Sequence, residues 1–523
     1  MIKIYKKYGY PILLVINALL LYVYLFKAKV IPLGWDTQFH LNRIEELYRS
    51  IQTGHVFSST GTYTFSSIGL AINRFYPYLF LYLFAILRFI FNPFIFNPII
   101  AYNLGCFILT LASLFISYFS VRSLTKSNKT AFLFSIIYNN SGYLLLQISM
   151  RGDIAEYIAL ILLPLIFVGY KKLFSSSYQW LWLPLGMILV CYTHILSVVL
   201  FTFFLLCLFV LEYNKITLLV IKRLLISIGI TTVFCLPLLV TMLRARSRTS
   251  VIIPIVPDVL INEALSPSNL LLNSLNNASP NNLLDVNLGL VVTIVSVFGI
   301  SVFRLKNQNL INLECFGIFF VVLSTNIFPW FVFQNTPLNV IQFPWRFLGL
   351  ATFCFSLVFA KLCSTKTNWI ISMVWLIACM ISFTYMHQYI YNSQAIQKID
   401  NISLYRKIAT NAVYTDYMPS GALNGMNKSK VFRSRLNIHK HVANVNGKNI
   451  QLSEKNIVPK YNSIQYRLNG LKKGKVNKII LPVLNYGENH SVSGIKVKPS
   501  TNGETVITFV PKRSTQVIDI YVK

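Results

Sequence analysis

Acidic residues are the scarcest chemistry in this sequence. Sixteen Asp and Glu stand against 47 Lys and Arg in 523 residues, and charged residues together make up only 12%. A soluble globular chain carries about 25% charged residues, so an ordinary soluble domain is excluded. The same chain is 55% hydrophobic, with several apolar runs of roughly 18 residues or more, the pattern of helices that satisfy their backbone inside lipid. Cysteine is also scarce. The eight cysteines (106, 191, 207, 235, 315, 354, 363 and 379) show no metal-ligand spacing, and none lies beyond Cys379. That excludes a disulfide framework or a zinc-finger array and leaves them as small apolar helix residues. The net charge of +31 therefore belongs to a membrane chain.

The charge is uneven. Residues 391–523 hold 21 of the 47 Lys and Arg but only 6 of the 16 acids. The chain is accordingly read as a membrane domain, 1–390, followed by a basic water-soluble domain, 391–523. Lys3, Lys6 and Lys7 precede the first apolar run. A cleaved signal peptide competes for this segment, but no small-residue cleavage site follows, so it is taken as an uncleaved first helix.

Apolar runs fall near 10–28, 98–121, 130–149, 154–170, 179–193, 195–212, 223–243, 287–304, 312–331, 345–362 and 368–388, about eleven transmembrane helices. With the N-terminus in the cytoplasm, the inner loops are 122–129, 171–172, 212–223, 304–306 and 361–366. Each is basic, as the positive-inside rule requires. The larger outer loops are then 31–97 and 244–285, and the C-terminal domain is extracytoplasmic in a multi-pass protein of the cell membrane. Residues 77–96 are apolar but contain Arg88, Asn92 and Pro93. Counting them as a span would invert every later loop, so they are read as a re-entrant or interface-lying helix. An exported tail without cysteine is compatible with a Gram-positive bacterium.

Ten acids lie in the membrane part, and this topology puts eight outside: Asp36, Glu45, Glu46, Asp153, Glu156, Asp258, Glu263 and Asp285. Glu212 and Glu314 are the exceptions. Arg244, Arg246, Arg248 and Arg346 break the positive-inside trend from the same side. Ionisable groups that ignore the insertion bias are functional candidates by default. Carboxylates and arginines on one face suggest a site that handles a phosphate and moves a proton. Each has a plainer reading beside it. Asp36 could cap the helix it precedes, and Asp153 with Glu156, three apart on a first helical turn, could form a capping box. His40 and His194 are outward polar candidates that could equally be structural.

Gly34-Trp35-Asp36-Thr37-Gln38-Phe39-His40-Leu41-Asn42-Arg43-Ile44, Phe75-Tyr76-Pro77, Arg151-Gly152-Asp153-Ile154-Ala155-Glu156 and Gln342-Phe343-Pro344-Trp345-Arg346-Phe347 follow one another in a recognisable order. This order resembles GT-C fold membrane glycosyltransferases. More narrowly it is similar to the bacterial membrane proteins labelled 6-pyruvoyl-tetrahydropterin synthase-related. Tyr414-Thr415-Asp416-Tyr417-Met418-Pro419 is similar to a segment of YfhO-like proteins. The resemblance covers most of residues 30–420. The pterin label itself has no support, since no zinc-binding histidine trio is present.

The resemblance implies a GT-C-like fold that transfers a sugar from a polyprenyl-phosphate-linked donor on the outer face, modifying a cell-envelope glycan or polymer. It places Asp36 as the base, or the group that positions the acceptor. Asp153, with Glu156, becomes the second-loop acid. Some relatives hold a divalent metal, Mg or Mn, on such acids. Asp36, Asp153 and Glu156 would be the ligands here, and the missing Asp-x-Asp pair leaves metal use open. Arg244, Arg246, Arg248 and Arg346 suit a departing phosphate, with His40 and Arg43 as further substrate contacts. The loop 244–285 would serve as a lid.

The tail alternates β-prone runs, such as 478–483 and 505–510, with Asn and Gly turns, and reads as a β-sandwich-like domain. Its charge suits an anionic wall polymer or lipid headgroups; a merely solvated basic surface fits equally. Nucleic acid is excluded as a partner outside a cell. Two other functions fit the same composition. One is a transporter or flippase of lipid-linked glycans, which needs the arginines but no base. The other is a non-catalytic scaffold for envelope assembly, which needs neither Asp36 nor Asp153.

Overall fold

In a computed structural model the described residues are 2–23, 29–95, 97–252, 254, 259–276, 286–299, 307–366, 397–423, 438–492 and 494–522. The expected span 368–388, the ends of the first and eighth spans (24–28 and 300–304), Asp258, Asp285 and Cys379 lie outside them. The chain is mostly helical with a β-rich C-terminal region. It divides into two compact units. One holds Met1–Thr37, Ile99–Cys235 and Val256–Asn401; the other holds Gln38–Pro98, Leu236–Ile255 and Ile402–Lys523.

The first unit contains α1 (Ile2–Leu21) and most of the apolar helices. In chain order after α2 (Thr37–Gln52) and α3 (Leu81–Ile95), these are α4 (Pro98–Thr125), α5 (Asn128–Asn139), α6 (Gly142–Leu146), α7 (Ile154–Lys172), α8 (Trp182–Cys191) and α9 (Ile195–Leu211). α10 (Leu218–Arg248) follows, counted with the first unit only as far as Cys235, and then α11 (Pro267–Asn276), α12 (Leu290–Gly299), α13 (Gln308–Ser324) and α14 (Leu348–Lys366). Among the described residues four helices are long and apolar enough to cross a membrane: Pro98–Thr125, Ile154–Lys172, Leu218–Arg248 and Pro344–Cys363. Five shorter apolar helices, including Gly9–Leu21 and Gln308–Ser324, accompany them. This is a membrane protein. A short antiparallel pair, β1 (Ile31–Pro32) with β2 (Lys398–Ile399), also belongs to this unit.

Two expected spans are not single helices. The run 130–149 breaks at Asn140-Ser141, where Ser141 turns its hydroxyl to accept from Leu144 N at 3.4 Å and starts a new helix. Asn and Ser compete with the helical ladder in this way. The segment then widens into a π-turn, Gln147–Arg151, closed by Gly152 at φ 67°. Such backbone is tolerated at membrane depth only where protein buries it, and residues 142–156 are all buried. The run 312–331 likewise stops as an α-helix at Ser324. Beyond it a 3₁₀ turn, Trp330–Phe333, begins with an indole N–H donating to Leu323 O at 2.9 Å.

Opposite ends of α7 carry opposite chemistry. Its 19 residues span about 28 Å at 1.5 Å per residue. At the C-terminal end Lys171 pairs with Glu212 at 2.8 Å, Lys172 Nζ donates to Ser123 O at 3.2 Å, and Arg223 Nη1 donates to Leu173 O at 2.9 Å. Three loops read as basic and inner thus meet at one end of this unit. Asp153 caps the other end.

The second unit is organised around a buried carboxylate. Glu46 of α2 accepts from the backbone N–H groups of Thr62, Tyr63 and Thr64 at 3.1, 2.9 and 2.9 Å, and from the Thr62 and Thr64 hydroxyls at 3.3 and 2.9 Å. Burial pushes its pKa up to about 7, against these donors. All five of these groups donate to Glu46, so the pocket is built for the carboxylate form. α3, at 15 residues, is about 22 Å long, short of the roughly 30 Å hydrocarbon core.

α15 (Ile402–Thr410) leads into two antiparallel sheets. The larger, in order β4-β3-β7-β9-β8, comprises β3 (Val442–Val445), β4 (Lys448–Gln451), β7 (Asn477–Leu484), β8 (Lys496–Pro499) and β9 (Glu504–Phe509). The smaller is β10-β6-β5: β5 (Ile457–Lys460), β6 (Ser463–Leu468) and β10 (Gln516–Tyr521). The expected strands 478–483 and 505–510 are β7 and β9, paired with Ile479 opposite Ile507. Ile479, Leu481, Ile507, Ile464, Tyr466, Ile518 and Ile520 from both sheets form one buried core.

Candidate functional site

Two close backbone approaches build the site in the first unit. A Cβ on Gly34 would lie 2.0 Å from Met150 O and 2.6 Å from Arg151 O. Gly152, with φ +67°, packs so tightly on Thr37 that a Cβ would lie 2.1 Å from its hydroxyl. Only glycine fits either place. The loop after α1 is thereby laid on the end of the π-turn, where Asp36 N donates to Arg151 O at 3.0 Å and Gly34 N to Thr37 Oγ1 at 3.0 Å. Backbone contact alone thus fixes Asp36 beside Arg151.

Arg151 is the hub. Its Nη2 donates to Asp36 Oδ2 and to Asp153 Oδ2, each at 3.2 Å, and its Nη1 donates to Glu156 Oε2 at 3.0 Å and Gln147 Oε1 at 2.6 Å. The guanidinium carbon stands 4.7 Å from the centre of the Trp345 ring, a cation–π contact. Three carboxylates therefore share one cation, and Arg346 adds a second, with Nε 3.4 Å from Glu156 Oε2. Arg346 is held by its own donation to Ile341 O at 2.9 Å and Gln342 Oε1 at 3.1 Å.

The three acids differ in access. The Asp153 and Glu156 side chains are 6% and 3% exposed, Arg151 is 4%, and Asp36 is 37%. Asp153 does cap α7, accepting from Glu156 N at 2.9 Å. The box is not reciprocal, because Glu156 turns away from the cap to Tyr143 OH at 2.6 Å, Gln147 Nε2 at 3.1 Å and the two arginines. Desolvation, then the neighbouring Asp153 charge, raise the Asp36 pKa to about 6, with Arg151 and Arg346 pulling it down. A carboxyl poised there can exchange a proton near neutral pH.

His194, in the turn between α8 and α9, joins the same cluster. One ligand atom each from Asp153, Glu156 and His194 lie within 4.8 Å of one another, and all three residues are buried. Its Nδ1 is 2.7 Å from Ser197 Oγ, and burial lowers its pKa, which favours the neutral ring. Two carboxylates and an imidazole suit a transition-series ion such as Mn or Zn better than Mg, because the imidazole is a softer ligand. The lone pairs are already engaged, however. Asp153 Oδ1 and Oδ2 accept from Glu156 N and Arg151, and Glu156 Oε1 and Oε2 accept from Tyr143, Gln147 and Arg151. An ion about 2.1 Å from Glu156 Oε2 would lie within about 5 Å of Arg151 Nη1. That is a like-charge term of roughly 7 kcal/mol at an effective dielectric of about 20. The residue types fit a divalent metal; the donors around them do not.

The remaining expected contacts lie in the second unit. Arg43 is wholly buried, donating to Asn73 Oδ1 at 3.0 Å, Tyr76 O at 3.2 Å and Pro77 O at 2.6 Å. It lies against the Phe39, Tyr76 and Phe80 rings, and burial lowers its pKa to about 10. His40 is buried among Phe39, Tyr76 and Phe80. Both organise the Phe-Tyr-Pro segment. Arg244, Arg246 and Arg248 are exposed at the end of α10. Arg248 pairs with Glu488, which also holds Arg74 at 2.9 Å. Among the described residues no acid is paired with Arg244 or Arg246.

No family model and no curated protein matches this sequence. Among solved structures, the backbone is similar to the arabinofuranosyltransferase AftD from Mycobacteria, with TM-score 0.49 and 11% identity over 76% of this chain and 28% of that one. It is also similar to the apo oligosaccharyltransferase of Archaeoglobus fulgidus, with TM-score 0.43 and 11% identity over 83% of this chain and 60% of the other. The chain thus spans about a quarter of the first and three fifths of the second.

Proposed function

We propose that this chain is a membrane glycosyltransferase. It takes a sugar from a polyprenyl-phosphate donor and places it on a cell-envelope glycan or polymer at the outer face, with Asp36 as general base. The observation that carries the reading is the difference in access within the acid cluster. Asp36 is the carboxylate open to an acceptor, whereas Asp153 and Glu156 are closed off around Arg151. The acceptor O–H gives its proton to the Asp36 carboxylate while its oxygen bonds to the sugar C1. The C1–O bond to the lipid phosphate breaks, and the polyprenyl phosphate leaves with the electron pair. Arg244 and Arg246, exposed and unpaired with acids among the described residues, are assigned to that phosphate. The N-terminus is assigned to the cytoplasm and residues 391–523 to the outside, so the basic β-rich region meets an anionic wall polymer or lipid headgroups.

The test is the envelope of a strain lacking the chain. Its glycans should lose one glycosyl substituent while a lipid-linked monosaccharide accumulates. Unchanged glycans and an unchanged lipid-linked pool would reject the reading. At the donor end, Arg244→Gln with Arg246→Gln should weaken binding of polyprenyl phosphate to the purified protein at least tenfold, with insertion and folding unchanged. Equal binding would move the phosphate to Arg346 or elsewhere.

A further inference from the structure

We infer that Arg151 stands where a divalent ion would otherwise sit, so that the cluster of Asp36, Asp153, Glu156 and His194 works without metal and Asp36 is positioned by a guanidinium. The arrangement is specific in three respects. Arg151 reaches all three acids through two terminal nitrogens, 3.0–3.2 Å from each oxygen. Its plane is fixed by Trp345 at 4.7 Å and Gln147 at 2.6 Å. Its backbone is fixed too, because its carbonyl receives Asp36 N and the next residue is the glycine packed on Thr37. Asp153 and Glu156, nearly closed to solvent, therefore act through Arg151 as positioning residues. A planar fork can hold several carboxylates in one fixed geometry. Unlike a bound ion, it needs no supply and cannot be chelated.

The inference rests on the glycosyltransferase reading only for the role of Asp36; its first test is made on metal binding and needs no turnover, so it can fail separately from that reading. Purified full-length protein is titrated with Mn²⁺ and followed by electron paramagnetic resonance, as wild type, His194→Gln, Arg151→Met and Arg151→Met with His194→Gln. Wild type should bind no Mn²⁺ that His194→Gln removes. Arg151→Met should gain about one equivalent of Mn²⁺, lost again when His194 is also replaced. Stoichiometric binding by wild type that disappears in His194→Gln overturns the inference. Wild-type binding that survives His194→Gln but is lost in Asp153→Asn also overturns it; binding that survives both replacements lies outside the cluster and leaves it metal-free, as inferred. Should Arg151→Met fail to fold, Arg151→Lys tests positioning. It keeps the charge but not the fork, and transfer should fall at least tenfold without rescue by EDTA or Mn²⁺. Full activity in Arg151→Lys, or loss of wild-type activity on EDTA treatment with recovery on Mn²⁺, contradicts it.

Discussion

At the scale of single residues, the site depends on how a scarce charge is held. Although 37% of the Asp36 side chain stays exposed, desolvation of the rest and the Asp153 charge raise its pKa to about 6. It is protonated below that value and cannot act as a base there. Transfer by the purified protein should therefore rise with pH through about 6, whereas an unperturbed Asp would give a limb near 4. A flat profile between pH 5 and 7 would remove Asp36 as the base. The two glycines are as exacting as the acids. Gly152→Ala adds a methyl group 2.1 Å from the Thr37 hydroxyl at a left-handed φ, a combination that costs on the order of 1–3 kcal/mol in backbone strain alone. It should abolish transfer through displacement of Asp36, while Gly54→Ala, also at positive φ but with open space around it, should leave transfer unchanged. Asp36, Asp153, Glu156 and Arg346 are all legible in the sequence as charges that ignore the insertion bias, and the structure gathers them into one cluster. Arg151 was less legible. It sits in the same motif as Asp153, but its role depends on three partners, one of them 115 residues away. His194 carried a polar signal with nothing in the sequence to say which acids it meets.

At the scale of elements, the apolar runs mark where helices lie among the described residues, but run length passes over their interruptions. Residues 130–149 look like one span because the hydrophobicity of Phe132 to Leu146 outweighs Asn139-Asn140-Ser141-Gly142 in any window average. The backbone follows the short polar string instead, and the resulting π-turn delivers Gln147 and Arg151 to the acids. Single-turn π segments often occur at functional sites. The β-strands were legible from alternation alone, since β7 and β9 bury Ile479, Leu481 and Ile507 on one face. Glu46 is a counter-example, a buried acid whose purpose lies in loop 58–64 rather than in catalysis. Glu46→Gln would turn an amide N–H₂ toward backbone donors, and leaving one or two unpaired costs about 1–3 kcal/mol. The purified protein should show a lower thermal midpoint with transfer per folded molecule unchanged; an unchanged midpoint would mean the donors are satisfied elsewhere.

At the scale of the whole molecule, the proposed transfer requires the acid cluster to lie on the outer face. Single cysteines placed in a cysteine-free background test that orientation. Ser268 and Ser420, both exposed, should react with an impermeant maleimide in intact cells, and Lys126, also exposed, should react only after lysis. Labelling of the Lys126 site in intact cells would reverse the orientation and give residues 81–95 a different part in the topology. The measurement that bears most directly on the central claim is transfer by Asp36→Asn. Asn keeps the size of Asp and its ability to cap a helix, and it removes the capacity to take a proton. A general base contributes roughly 10²–10⁴ in rate. Asp36→Asn, at matched membrane abundance and thermal stability, should lose glycan modification by at least two orders of magnitude; modification within a few-fold of wild type would contradict the transferase and favour a transporter of lipid-linked glycans.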